Sequence, residues 1–137
     1  MPSNSLARAT RLLLAGAVVS LLSACGTGGP NGDPVHGKEL YTQCQGCHKL
    51  TENFTGPMHC GLFGRPAATV PDFDYSEAMK ASGIVWNEKT IDEFLVSPIA
   101  YVTGTKMGFA GFTSATDRAD VIAYLKQVNE DPSTCPQ

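Results

Sequence analysis

The sequence predicts an all-α fold of three main helices, with short helices and long loops between them. Strong helix-start signals stand at three places in the chain, at Asp33, Asn87 and Ser114. No stretch alternates apolar and polar residues as a half-buried strand would. With 14 Gly and 9 Pro among 137 residues, the chain is rich in turn formers, which indicates a small core in a loop-rich domain.

The first helix is predicted to begin with Asp33 as its N-cap and Pro34 at the first helical position. Apolar or small residues then recur at spacings of three and four, which is typical of a buried helix face. This face consists of Gly37, Leu40, Tyr41 and Cys44. Because Gly37 has no side chain, another helix is expected to approach closely there.

A loop interrupted by Gly and Pro is predicted over 50–74, followed by a short helix. Ser76 is the expected N-cap of this helix, which should continue to Ser82 and stop at Gly83.

Two longer helices complete the prediction. Asn87 should cap a helix over 88–96, after which a second loop runs to Phe112. The last helix should begin near Ser114, which with Asp117 resembles a capping box that has Asp in place of the usual Glu. The apolar face of this helix consists of Val121, Tyr124, Leu125 and Val128.

The first 24 residues have the pattern of an export signal. Arg8 and Arg11 precede an apolar run of 11 residues over 12–22, which is too short to span a membrane. The run ends in Leu22-Ser23-Ala24-Cys25, which resembles the lipobox of bacterial lipoproteins. The resemblance implies cleavage before Cys25 and lipidation of its thiol, and the alternative is an ordinary signal peptide with a chance cysteine.

This signal sets the predicted domain boundaries. Residues 25–32 would form a lipid-anchored flexible tether, 33–130 the folded domain and 131–137 a C-terminal tail. Removing 1–24 removes two of the 10 basic residues and none of the 13 acidic ones, so the net charge changes from −3 to −5. A nucleic-acid partner is therefore not expected.

The chemistry of the chain is concentrated in Cys44-Gln45-Gly46-Cys47-His48. Two thiols at this spacing, followed directly by a histidine, indicate a c-type haem attachment site. On a helical turn both sulfurs face the same way, and His48 lies close enough to reach the iron. The alternatives are a Cys-x-x-Cys redox pair, which lacks its usual βαβ context here, and a zinc site completed by His59-Cys60.

A haem iron held by one histidine has either a second axial ligand or an open position. Met107 is favoured as that ligand, because it lies in a loop predicted between two helices, 59 residues after His48. A His/Met pair would fill both axial positions and raise the reduction potential. The other candidates are Met58, Met79, His36 and His59.

Further segments follow one another along the chain in a recognisable order. They are Gly37-x-x-x-Tyr41, Cys44 to His48, Gly56-Pro57, Gly61-Leu62-Phe63-Gly64-Arg65, Tyr75-Ser76-x-Ala78, Gly83-Ile84-Val85-Trp86, Pro98, Tyr101-x-x-Gly104-Thr105-Lys106-Met107 and Arg118 to Lys126. In this order and nearly this spacing, the chain from Gly32 to about Glu130 resembles class I cytochrome c of the mitochondrial and alphaproteobacterial type. The resemblance implies a class I cytochrome c fold wrapped around one covalent haem c.

The resemblance also implies roles for single residues. Cys44 and Cys47 would form the thioethers, and His48 and Met107 would be the axial ligands. The carbonyl of Pro57 would accept a hydrogen bond from the other ring nitrogen of His48.

A second set of residues would hold a buried haem propionate. Tyr75 and the indole N–H of Trp86 would donate to it, and Arg65 would offset its charge. Thr105 would belong to the same network. Gly37 and Tyr41 would pack against Tyr124 where the first and last helices cross.

The sequence departs from the family in several respects. The family's His-Gly before Leu-Phe-Gly-Arg is Cys60-Gly61 here, and a Tyr and an Asn often found near the Met ligand align with Phe94 and Met79. Of five cysteines, one is assigned to lipid and two to haem, which leaves Cys60 and Cys135; two spare thiols in an exported protein indicate a disulfide. The lysine-rich face of the mitochondrial proteins is also reduced, which puts their docking mode in doubt. The lysines that remain for it are Lys38, Lys49 and Lys106, with Lys80 or Lys89.

The predicted function is that of a lipid-anchored, periplasmic one-electron carrier, and not an enzyme. Its partners would be a quinol-oxidising cytochrome bc complex and a terminal oxidase or a similar acceptor, at a bacterial membrane. The first alternative is the cytochrome subunit of a periplasmic dehydrogenase complex. The second is a haem sensor or peroxidase in which Met107 is displaced from the iron.

Overall fold

The computed structural model describes residues 31–136, and it has five helices over that range. They are α1 (Pro34–Gln45), α2 (Glu77–Lys80), α3 (Glu88–Val96), α4 (Pro98–Tyr101) and α5 (Ala115–Glu130). Within 31–136 there is no strand, and Pro66 and Val85 form an isolated bridge. The predicted all-α fold with three main helices is therefore confirmed. The predicted signal peptide and Cys25 lie outside the described residues.

The predicted caps begin the helices as the sequence indicates. The Asp33 side chain accepts from the N–H of Val35, with Pro34 at the start of α1. Ser76 caps α2 and Ser114 caps α5 in the same manner. Asn87 caps α3 in a reciprocal box with Thr90, in which each side chain bonds the backbone of the other residue.

The structure differs from the prediction in one helix boundary and one additional helix. Helix α2 ends at Lys80 instead of Ser82, and a further turn brings the N–H of Ser82 to the carbonyl of Met79. Helix α4 lies where a loop was predicted. Its signal is present in the sequence, since Ser97-Pro98 places a potential cap before a proline at the first helical position.

Helices α1 and α5 cross in direct backbone contact. A Cβ on Gly37 would lie 1.9 Å from the carbonyl oxygen of Asp120. One turn further along α1, the rings of Tyr41 and Tyr124 pack with their centroids 5.1 Å apart. The predicted contact of Gly37 and Tyr41 with the last helix is therefore confirmed.

The core consists of two clusters of buried side chains. The larger one joins α1, α3 and α5 and includes Tyr41, Leu95 and Val121. The smaller one is formed by Met79, Phe94 and Val102. Trp86 packs against both, so the two clusters form neighbouring walls of one interior.

The chain following α5 is bonded to the loop that follows Pro57. A disulfide joins Cys60 and Cys135, and Cys135 is almost fully buried. The side-chain oxygen of Asn129 on α5 accepts from the N–H of Leu62, 3.1 Å away. Since its sulfur is used in the disulfide, Cys60 has no thiolate to offer the zinc site considered above.

None of the helices between residues 31 and 136 is long and apolar enough to cross a membrane.

Candidate functional site

A mainly apolar cavity of about 440 Å³ lies between the two core clusters. Residues from α1, α2, α3, α5 and the loops between them line it. All nine residues predicted to bind a cofactor are among them: Cys44, Cys47, His48, Pro57, Arg65, Tyr75, Trp86, Thr105 and Met107. Tertiary folding thus brings residues that are up to 63 positions apart in the sequence to one space.

The cysteine motif forms one tight turn at the end of α1. Cys44 is in the last turn of the helix, and its carbonyl accepts from the N–H groups of Cys47 and His48, at 3.0 and 2.8 Å. This turn places Cys44, Cys47 and His48 on the lining of the same cavity. Cys44 and Cys47 are free thiols, and Cys47 is exposed.

The Cys44 thiol does not have the electrostatics of the reactive thiol in a redox pair. Burial, with a smaller contribution from Cys47, raises the pKa of Cys44 to about 11. A Cys-x-x-Cys pair that works by thiol exchange instead has a thiol with a lowered pKa. The redox-pair alternative is therefore not favoured.

His48 is buried and held in one orientation. Its Nδ1 lies 2.7 Å from the carbonyl oxygen of Pro57, to which it donates when Nδ1 carries the proton. Burial lowers the pKa of His48, although the bond to Pro57 opposes that shift. The imidazole is thus neutral at neutral pH, and its Nε2 is the nitrogen available to a metal.

Gly56 is required beside this imidazole. A Cβ at Gly56 would lie 2.4 Å from Cε1 of His48 and 2.7 Å from both ring nitrogens. The backbone of the Gly56-Pro57 segment therefore confines the ring by contact as well as by its hydrogen bond.

Met107 belongs to a different part of the wall. It packs against the cluster of Met79, Phe94 and Val102, and its N–H donates to the Thr105 hydroxyl at 3.2 Å. Of the other candidate ligands, Met79 and His59 line the same cavity. His36 is instead on α1, paired with Asp120.

Arg65, Tyr75 and Trp86 lie together on the cavity lining. The guanidinium of Arg65 donates to the carbonyls of Cys60 and Met58, at 2.9 and 3.0 Å. The backbone of Trp86 pairs with the loop, donating to the carbonyl of Arg65 and accepting from Gly64. These contacts place a fixed cation beside two side chains that can donate hydrogen bonds.

His59 has a position that the sequence did not reveal. Its ring stacks on that of His48, with centroids 4.2 Å apart and an angle of 21° between the planes. Its Nδ1 is 2.9 Å from the hydroxyl of Tyr41. His59 therefore lies next to His48, although the sequence suggested it only as a candidate for the second axial ligand of the iron or as a zinc ligand.

The residues present fit a covalent haem c. An apolar cavity suits a porphyrin, the two thiols suit thioether bonds, and a neutral imidazole with a free nitrogen suits an iron. A cation and two potential hydrogen-bond donors at another part of the wall suit a propionate.

Comparisons with known proteins agree with this chemistry. Residues 34–129 match the family model described as Cytochrome c. The cytochrome c2 of Rhodomicrobium vannielii is 45% identical over 97 residues, which cover 69% of this chain and 78% of that protein. The cytochrome c2 of Afifella marina is 46% identical over 101 residues, which cover 69% and 82%.

A solved structure has the same architecture. Cytochrome cH from Methylobacterium extorquens superposes with a TM-score of 0.68 and 34% sequence identity. The alignment covers 70% of this chain and 99% of that one.

Proposed function

The chain belongs to the cytochrome c family, whose cofactor is a covalent haem c, and on that premise we propose that it is a lipid-anchored, periplasmic one-electron carrier. Its donor would be a quinol-oxidising membrane complex, and its acceptor a terminal oxidase or a similar protein. The observation that carries the proposal is that Cys44, Cys47, His48 and Met107 all line the same apolar cavity.

Each of these residues has a task in electron transfer. Cys44 and Cys47 would hold the haem through thioethers, and His48 and Met107 would be its axial ligands. Haem c, when bound, supplies an iron that alternates between its ferrous and ferric forms. Two protein ligands leave no position for a substrate, which is why a carrier is proposed instead of a sensor or peroxidase.

The surrounding residues would keep the site dry and rigid. Pro57 holds His48 by a hydrogen bond, and Gly56 confines its ring. Phe94 is buried beside Met107, against Trp86 with ring centroids 5.1 Å apart. A site that changes little between two oxidation states needs little reorganisation. Arg65, Tyr75 and Trp86 would hold a propionate, with Thr105 nearby.

The charge distribution supports docking through few positive groups. Lys106, next to the proposed ligand Met107, pairs with Asp74 at 2.6 Å, and Lys80 pairs with Glu77 at 2.8 Å. These acidic partners offset the positive charge of the two lysines, so this domain presents less positive charge than the mitochondrial proteins do. The proposed partners would therefore recognise this domain by shape and local contacts more than by long-range attraction.

The ligand set is tested by the ferric optical spectrum of the mature haem protein. A weak sulfur-to-iron band near the red edge is expected in the wild type, and Met107→Ala should abolish it. Met79→Leu is the matched control, because Met79 lines the same cavity and should leave the band in place. A wild-type spectrum without the band at neutral pH would contradict the proposal and favour the sensor or peroxidase.

The anchor is tested separately, since Cys25 lies outside the described residues. Cys25→Ser should move the protein from the membrane fraction to the soluble periplasmic fraction. Unchanged fractionation would contradict lipid anchoring at this residue.

A further inference from the structure

The stack of His59 on His48 is a contact that the proposed electron carrier does not require. His48 already has its Nδ1 fixed by Pro57. His59 nevertheless lies almost parallel to it, at 4.2 Å between centroids and 21° between planes. The two rings are stacked, which is an attractive contact between aromatic side chains.

The ring of His59 is held in place from a second side. The hydroxyl of Tyr41 lies 2.9 Å from its Nδ1, and Tyr41 is 1% exposed. Burial raises the pKa of Tyr41, so its hydroxyl keeps its proton and can donate it. Tyr41 is in turn packed between α1 and α5 against Tyr124.

The backbone on either side of His59 is equally constrained. The N–H of His59 donates to the carbonyl of Lys49, which directly follows His48, at 3.1 Å. Cys60, the next residue, is bonded to Cys135. The imidazole of His59 therefore has little freedom to leave the ring of His48.

We propose that His59 is a positioning residue for His48, which fixes the plane of the proximal imidazole and lowers the reduction potential of the haem. The Tyr41–His59–His48 arrangement links this plane to the α1–α5 crossing. The inference rests on the proposed role of His48 as an axial ligand. Pro57 holds the ring through one hydrogen bond and the backbone of Gly56 limits it by contact. The stacked ring of His59 is a third restraint, which opposes rotation of the imidazole plane.

The direction of the effect on potential follows from polarity. Ferric haem carries one more positive charge than ferrous haem, and a dipole beside its ligand solvates that charge better than a hydrocarbon does. An apolar residue in place of His59 should therefore favour the ferrous form.

The experiment compares three variants of the haem protein: His59→Leu, Tyr41→Phe and Tyr124→Phe. Each is examined by redox titration and by the hyperfine-shifted haem methyl signals in ferric NMR spectra, which depend on the imidazole plane. His59→Leu should raise the midpoint potential and change the spread of the methyl signals. Tyr41→Phe should do the same to a smaller extent.

Tyr124→Phe is the matched control. It removes a tyrosine hydroxyl from the ring that packs against Tyr41, whereas the hydroxyl that lies 2.9 Å from Nδ1 of His59 belongs to Tyr41. Both of its readouts should equal those of the wild type. A shift as large as that of Tyr41→Phe would assign the effect to the helix crossing and overturn the inference.

The inference is also overturned if Tyr41→Phe and His59→Leu keep the wild-type potential and methyl pattern. If His59→Leu does not fold, Tyr41→Phe decides alone. The Met107-dependent band in the wild type separates the two hypotheses. With the band present and both variants unchanged, only the positioning role fails; without the band, the proposed carrier fails whatever the variants do.

Discussion

The α1–α5 crossing and the cavity are built differently from the same short chain. At the crossing, the chain itself supplies both sides of each contact: the backbone of Gly37 meets that of Asp120, and Tyr41 packs on Tyr124. Around the cavity, many of the lining residues come from loops and face a space that the chain itself does not fill.

This difference shows how stability and function are divided in the molecule. The crossing is completed by the chain's own contacts, which do not need a cofactor. The cavity walls keep their arrangement through hydrogen bonds and the disulfide, and their apolar faces gain a packing partner only from haem. Variants at the thiols, the disulfide, the helix crossing and its edge test this division, with expected effects that decrease in that order.

The largest effect is expected from Cys44→Ser with Cys47→Ser, which prevents covalent attachment of haem. An unfilled apolar cavity of 440 Å³ would cost on the order of 10 kcal/mol. That is comparable to the entire stability of an ordinary domain, about 5–15 kcal/mol. The variant produced without haem should therefore lack a cooperative transition in scanning calorimetry. A transition equal to that of the haem protein would show that the cavity does not depend on the cofactor.

The next largest effect is expected from Cys60→Ser with Cys135→Ser, which removes the covalent link between the cavity loop and the chain after α5. The disulfide closes a loop between residues 75 positions apart. By chain entropy its removal should cost about 4 kcal/mol of the free energy of unfolding. Denaturant titration measures this loss, and the wild type should match the variant when both are titrated with the same reductant, which also brings the haem iron of both to the ferrous state. Because haem remains attached, this variant is also the matched control for Cys44→Ser with Cys47→Ser: it too loses two cysteines, but it keeps the cofactor. A loss below about 1 kcal/mol would contradict the prediction.

Gly37→Ala tests the crossing alone. Its Cβ would meet the carbonyl oxygen of Asp120 at 1.9 Å, so the two helices must separate. The expected loss is about 3 kcal/mol of the free energy of unfolding, with an unchanged ferric spectrum. Gly46→Ala is the control, because nothing lies within 4 Å of a Cβ there and its φ is −63°. Equal stabilities of the two variants would disprove the close-contact argument.

The smallest effect is a pH dependence at the edge of the crossing. His36 Nδ1 is 2.8 Å from the carboxylate of Asp120, which also accepts from the N–H of Asp33. Burial alone would raise the pKa of Asp120, but the hydrogen bonds from His36 and Asp33 lower it overall. The hydrogen bond to Asp120 raises the pKa of His36 above its ordinary 6.5, although burial opposes the shift.

A raised pKa in the folded state means that protonated His36 stabilises the fold. The contribution is complete below the unfolded-state pKa of about 6.5 and is lost as the pH rises through the folded-state pKa. Compared with His36→Asn, the wild type should lose some thermal stability as the pH increases through this range. The difference should shrink at high salt, since His36 is 45% exposed. If the thermal stabilities of the two proteins changed in parallel with pH, the stabilising role of protonated His36 would be contradicted.

Much of the fold could be predicted because its signals are local. A capping side chain bonds a backbone group two or three residues away, so Asp33, Ser76, Asn87 and Ser114 are readable without tertiary information. Helix α4 was missed because it is a single turn, too short to show an apolar period, so that Ser97-Pro98 was its one signal in the sequence.

The candidate site was also readable to a large extent. The Cys44–His48 motif is contained in one turn, and the resemblance to a family supplied the residues that lie far away in the sequence. The contact of Pro57 with His48 was expected and is present at 2.7 Å. The resemblance could not predict what the departures do, because a side chain that differs from the family has no precedent to follow.

The sequence by itself determined where four of the five described helices begin, which turn holds the two thiols, and which family the chain resembles. Only the tertiary structure decided that His59 stacks on His48, that Arg65 bonds two loop carbonyls, and that Asp120 joins Asp33 to His36. The physical reason is the separation along the chain of the residues that make each contact. Caps and turns are settled within a few bonds of the chain, whereas these contacts join segments whose distance depends on how every other part of the core packs.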